Sequence, residues 1–209
     1  LLHRGIRGAQ EIEQLGLPVF GTVAFAPDAA NHRKRRGTLP ILTLDKPHDL
    51  VAEAMRSMRT ALHFGMIDAK TNSVLFTSAA PGAGKSFTAV NLAVVAAQAG
   101  QRVCLIDADM RRGYIRRYFG QVRNTPGLAE FLANENTLDE VLHESSVPGL
   151  SVICSGRFPP NPSELLMRPV FAALLKTLNS RFDLILIDAP PTLAVTDPVV
   201  IGRSADTTI

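Results

Sequence analysis

Apolar residues recur along this chain with two different periods. Four short runs of aliphatic and β-branched residues, at 73–78, 102–106, 150–154 and 183–187, show no polar alternation, the pattern of strands covered on both faces. Residues 49–64 follow the helical period instead: Leu50, Val51, Ala54, Met55, Met58 and Leu62 fall on one face, and Asp49 stands where an N-cap is needed. A second apolar helix is predicted over 87–99, ending at Gly100. Shorter helices are predicted at 8–15, 127–132 and 137–143. A longer one runs over 161–179, with Asn161 as N-cap, Pro162 in the first position and Glu164 three residues after the cap. Asp197 and Pro198 mark one more helix start, residues 17–24 read as a strand, and the proline- and glycine-bearing stretch 27–47 reads as a linker or long loop.

Strands alternating with helices imply crossover units, right-handed because twisted strands pack that way. The expected fold is α/β, a mostly parallel sheet with helices on both faces. The chain divides into a first segment with its linker, residues 1–48, and a folded domain, residues 49–209.

Residues 73–86, SVLFTSAAPGAGKS, bring chemistry into this frame. A strand turns through Pro81, Gly82, Ala83 and Gly84 and delivers Lys85 and Ser86 to the start of a helix, the context of a phosphate-binding loop. Amides of such a loop converge on an anion, and the helix dipole favours negative charge there. Residues Ala80, Pro81, Gly82, Ala83, Gly84, Lys85, Ser86 and Phe87 form the candidate nucleotide contacts. Lys85 would reach the β and γ phosphates of ATP, and Ser86 would hold Mg²⁺. The usual motif has glycine six residues before the lysine; Ala79 stands there, so the loop is a variant.

Two further strands end in carboxylates. One runs into Asp107, Ala108, Asp109, Met110 and Arg111, the other into Asp188, Ala189, Pro190 and Pro191. Carboxylates at such ends are costly to bury without cations or hydrogen-bond donors, and magnesium with ATP supplies a partner. The C-terminal ends of the strands are also where open α/β sheets bind ligands. Asp109 and Asp188, with Ser86, are the candidate metal residues. Lys85, Asp107, Asp109 and Asp188 are the candidate catalytic ones.

Composition narrows the classes. The 209 residues are 46% hydrophobic and 20% charged, as in globular proteins, and a net charge of +3 gives no argument for nucleic acid. Basic residues concentrate in the run His32 to Arg36, which reads as a solvated linker face or, more sharply, as a juxtamembrane segment. No apolar run is long enough to span a bilayer. Cys104 and Cys154 sit inside strand-like runs with neither metal nor redox spacing, so both are expected to be buried and free, consistent with a reducing cytoplasm. The chain opens on Leu1 and closes on Thr207, Thr208 and Ile209 within a strand-like run, the expectation for a piece of a longer protein.

These motifs together resemble the bacterial tyrosine kinases that control capsule and exopolysaccharide export, phosphate-loop proteins unrelated to the eukaryotic kinase fold. The likeness runs from Ile12 onward: SAAPGAGKS matches the family's loop, VCLIDADMR its second acidic motif, LILIDAPP its third, and PPNPSELL is a run typical of it. On this resemblance the fold is that of a P-loop NTPase. Glu53, Arg56 and Arg59, which pattern alone reads as a solvated face with a Glu53–Arg56 ion pair, match the family's ring-forming homo-oligomer motif. In that ring each active site receives the tyrosine-rich tail of the neighbouring subunit. Tyr114 falls where members from Gram-negative bacteria carry an internal regulatory tyrosine, a candidate phosphosite. The N-terminal run EIEQLGLPVFGTVA resembles the segment after a second membrane helix. The resemblance thus implies the cytoplasmic domain of an inner-membrane protein, a membrane-spanning part of the same chain, and an opposing phosphotyrosine phosphatase. The family's tyrosine tail and part of the adenine surface are expected to lie beyond residue 209.

The activity so implied is ATP-dependent phosphoryl transfer to protein tyrosine, with Asp107 accepting the phenolic proton and Asp109 orienting the metal's water shell, or the reverse. Two rivals are kept. An ATPase switch of the partition or division-site type would carry a lysine five residues before Lys85, where Ala80 stands. A nucleotide-gated assembly module would change oligomeric state without turnover. Eukaryotic-type kinases are excluded by the absence of His-Arg-Asp and Asp-Phe-Gly motifs.

Overall fold

The computed structural model describes residues 6, 8–26, 37–122, 124–205 and 207–209. The basic run His32 to Arg36 lies outside the described residues. In chain order the elements are α1 (Ala9–Glu13), α2 (Leu42–Asp45), α3 (Leu50–Gly65), β1 (Ser73–Phe76), α4 (Lys85–Gln98), β2 (Val103–Asp107) and a 3₁₀ turn (Ile115–Arg117). Then come α5 (Leu128–Leu132), α6 (Leu138–Val141), β3 (His143–Glu144), β4 (Leu150–Ile153), α7 (Pro162–Met167), α8 (Pro169–Arg181), β5 (Leu184–Asp188), α9 (Asp197–Gly202) and β6 (Thr207–Thr208).

The sheet runs β3-β4-β2-β5-β1-β6, parallel except for β3, which pairs antiparallel with β4 at the edge. Alternate side chains of each central strand enter opposite layers, as the two-residue period requires. Val74, Phe76, Val103, Leu105, Val152 and Leu186 pack with α3 and α4 on one face. Leu75, Cys104, Ile106, Ile153, Ile185 and Ile187 pack with α5 and α8 on the other. Both faces being covered explains why the strands read as unbroken apolar runs. Cys104 and Cys154 are free and buried, and burial pushes both thiols up.

Several local expectations hold and several need correction. Asp49 caps α3, its Oδ1 accepting from the Val51 amide at 2.9 Å. Leu50, assigned to the apolar face, is 81% exposed, because the helix turns Ala52 inward instead. Residues 17–24 form no strand: no sheet edge pairs with them, and Phe20 and Val23 are held by side-chain packing against the core. Within the stretch read as linker, Leu39, Ile41 and Leu42 are buried, and the Thr43 amide donates to Asn91 Oδ1 at 2.9 Å.

The helix expected over 161–179 breaks at Arg168, whose ψ of 143° is extended, because Pro169 disfavours helical geometry in the residue before it and starts α8 afresh. Asn161 makes no side-chain cap bond; its Nδ2 donates to Glu164 Oε2 at 2.6 Å.

Candidate active site

The register of the sheet assembles the site. Phe76 lies beside Asp188, and Asp188 beside Asp107, so three strand ends arrive side by side. Beyond β1 the loop turns through Gly82 and Gly84, whose φ of 88° and 98° lie in the left-handed region that glycine adopts without strain. Gly84 is the N-cap of α4, and the amides of Gly84, Lys85, Ser86 and Phe87 donate no hydrogen bond among the described residues. These are the orphan donors of a helix start, aimed as an anion cradle.

Lys85 Nζ stands 3.3 Å from Asp188 Oδ1, 3.7 Å from Asp109 Oδ2 and 3.3 Å from Ser86 Oγ. Its side chain is 12% exposed, those of Asp109 and Asp188 5% and 1%. Burial drives the Asp188 carboxyl up to about 6, with the Lys85 ammonium pulling the other way. Asp107 is pushed well above the ordinary carboxylate range by burial first and by the Asp188 charge second. Its oxygens accept from the Asp109 amide at 3.2 Å and the Ile115 amide at 3.0 Å.

The donor set fits a magnesium ion. Asp188 Oδ2 is buried without a hydrogen-bond partner among the described residues, and the Ser86 hydroxyl lies beside the same lysine. Among those residues no group of three or more His, Cys, Asp or Glu side chains forms a ready-made metal cage. That suits magnesium, which keeps waters and binds through one or two carboxylates and substrate phosphates.

Lys85, Ser86 and Asp109 open onto a groove of about 490 Å³. Pro81 to Phe87 line it, as does Tyr114; Ala80 does not, its carbonyl accepting from Ser78 Oγ at 3.0 Å. Glu53, Arg56 and Arg59 are not brought to the groove. They lie on α3, where Glu53 pairs with Arg56 and Arg56 Nη2 donates to the Pro47 carbonyl at 2.8 Å.

Sequence reasoning missed two parts of the site. Val23 to Ala26, with Leu39 and Pro40, form one wall of the groove, a long-range contact without a local signal. Arg111 grips Asp197 with Nε at 2.9 Å and Nη2 at 3.1 Å, and Ser163 joins them. The signal for that pair was an arginine in the acidic motif and an acid at a helix start, 86 residues apart.

Residues 72–209 match a family model described as an AAA domain. The kinase domain of Escherichia coli tyrosine kinase ETK is 40% identical to this chain and superposes with a TM-score of 0.90, over 98% of this chain and 81% of that one. The chain belongs to the bacterial tyrosine kinase family. The BceF tyrosine kinase domain is 46% identical with a TM-score of 0.89, covering 98% of this chain and 85% of that one. Tyrosine-protein kinase ptk of Acinetobacter johnsonii is 42% identical over 207 residues, 97% of this chain and 28% of that protein. The chain thus spans under a third of the curated relatives' length, and it has the nucleotide-binding P-loop fold of this kinase family. No helix among the described residues is long and apolar enough to cross a membrane.

Proposed function

We propose that this domain catalyses ATP-dependent phosphorylation of protein tyrosine, in the first place on its own chain, and thereby regulates polymerisation and export of an exopolysaccharide or capsule. The observation that carries the reading is the convergence of Asp109 and Asp188 on Lys85 at the start of α4, where the amides are unbonded. The amides and Lys85 bind and neutralise the β and γ phosphates. Ser86 and Asp188 would hold magnesium, directly or through water, with Asp109 orienting its water, and the ion when bound would neutralise charge on the phosphates. The tyrosine oxygen bonds to the γ-phosphorus as the bond to the β–γ bridging oxygen breaks. That electron pair leaves with ADP, and the phenolic proton passes to the Asp107–Asp109 pair. Burial raises the proton affinity of Asp107, and Asp109 lines the groove.

The α3 face that carries Glu53, Arg56 and Arg59 mediates a ring of subunits, each presenting tyrosines of a C-terminal tail to its neighbour. Tyr114, on the groove wall, is an internal phosphosite. Residues 1–48 tie the domain 49–209 to a membrane-spanning part of an inner-membrane protein, with residues 39–45 docked on the domain, and a phosphotyrosine phosphatase reverses the reaction.

The test is to incubate the full natural chain with magnesium and ATP beside a Lys85→Ala control and to identify the phosphorylated amino acid by mass spectrometry. Phosphotyrosine that requires Lys85 is the expected result. ATP binding without phosphotyrosine, at concentrations where the protein self-associates, would move the reading to a nucleotide switch.

A further inference from the structure

The Lys85 ammonium beside the phosphate loop is already matched by carboxylate charge before any nucleotide enters. Lys85 is held between Asp109 and Asp188, and Asp107 lies beside Asp188 on the neighbouring strand. A triphosphate with one magnesium ion adds further net negative charge, so the transferring phosphoryl group needs another cation.

Two adjacent arginines at the end of the β2 turn line the same groove. Arg111 is engaged elsewhere: both bidentate N–H groups go to the fully buried Asp197, and Nη2 also reaches Ser163 Oγ at 3.3 Å. Arg112 differs. Its side chain is exposed, and its guanidinium has no hydrogen bond or ion pair among the described residues. Its backbone, by contrast, is fixed, the amide donating to Asp109 Oδ1 at 3.1 Å and to the Asp109 carbonyl at 3.2 Å. Residue 112 is therefore anchored to a carboxylate that faces Lys85, with a free planar cation beside the phosphate loop.

Resting on the proposed kinase reading, we infer that Arg112 is a catalytic residue that contacts the γ-phosphoryl group during transfer. Its guanidinium meets the charge that develops on the equatorial oxygens as the β–γ bridging bond breaks, and a planar fork of N–H donors matches those oxygens better than an ammonium does. Arg111 holds the turn; Arg112 acts from it.

The test separates ground-state from transition-state contacts, using the full natural chain and Arg112→Ala, which keeps the amide that bonds Asp109. Affinity for a fluorescent magnesium-ADP is measured alone and with aluminium fluoride, a mimic of the phosphoryl group in flight. The expected result is magnesium-ADP affinity within about 3-fold of the parent, with the extra affinity that fluoroaluminate confers reduced about 100-fold and kcat reduced alike. Arg112→Lys should recover roughly a tenth of the loss, since it restores charge without the fork. Equal loss with and without fluoride would make Arg112 a ground-state phosphate ligand and overturn the inference. A change confined to KM for a peptide substrate would make it a substrate-recognition residue and also overturn it. If the parent binds no magnesium nucleotide, the kinase reading itself fails; if the parent is normal and Arg112→Ala changes nothing, only the role of Arg112 fails.

Discussion

Two turns leave neighbouring regions of the same sheet and build opposite halves of the groove. The turn after β1 leaves its backbone donors unbonded: the amides of residues 84–87 meet nothing among the described residues, and a Cβ added at Gly82 or Gly84 would meet no atom within 4 Å. The turn after β2 has used its donors. Asp107 and Asp109 accept from the amides of residues 109, 111, 112 and 115, and Gly113 packs so tightly that a Cβ there would overlap Ser155 Oγ. One turn leaves backbone donors unbonded; the other has bonded backbone donors to its own carboxylates and presents side chains. The difference shows how a single groove obtains both an anion cradle and fixed carboxylates, since amides already bonded to the protein's own Asp side chains are not free to hold a phosphate.

Substitutions that attack the second turn should cost stability, and those that attack the first should cost binding. The largest effect belongs to Arg111→Ala, which leaves the buried Asp197 without its ion partner. Breaking a buried pair costs ~3–5 kcal/mol, discounted to ~2–3 here because the Arg111 side chain is 39% exposed. The midpoint of thermal unfolding should fall by roughly 5–10 °C. A shift under a degree would show that the turn does not depend on this pair.

Asp188, on the strand between the two turns, gives a pH signature. Its carboxyl is raised from the ordinary 3.8 to about 6 by burial, so folding favours the protonated form. The stability this gives is fully present below the ordinary value and is lost as pH rises through about 6, a change of roughly 3 kcal/mol for the nucleotide-free protein. Asp188→Asn should flatten that slope between pH 4 and 7, and an unchanged slope would assign it to other groups.

The two glycines give the sharpest pairing. Gly113→Ala should destabilise by about 2 kcal/mol, combining overlap with Ser155 and a strained φ of 50°. Gly82→Ala, with space around it and φ of 88°, should cost about 1 kcal/mol and show its main effect as weaker nucleotide binding. Equal stability losses would remove the contrast between the turns.

Local signals made much of this readable in the sequence. Each buried strand was a short apolar run, each functional carboxylate followed one directly, and the loop lysine sat at a helix start, so β1, β2, β4, β5 and the Lys85, Asp109 and Asp188 meeting needed no long-range information. Pairings between distant residues were not readable in this way. The wall built by Val23 to Ala26 and Pro40, the Arg111–Asp197 grip and the two-residue strand β3 depend on how layers pack, and no spacing encodes them. The break at Pro169 is a different matter: the residue was in plain view, and the apolar period on either side of it outweighed the steric rule.

Hydrogen exchange of the full natural chain, with and without magnesium-ATP, tests the contrast most directly. The account predicts that nucleotide slows exchange at the amides of residues 84–87 and leaves those of 109, 111, 112 and 115, already bonded to Asp107 and Asp109, little changed. Protection confined to 109–115, or spread equally over both turns, would contradict the division of labour on which the site is built.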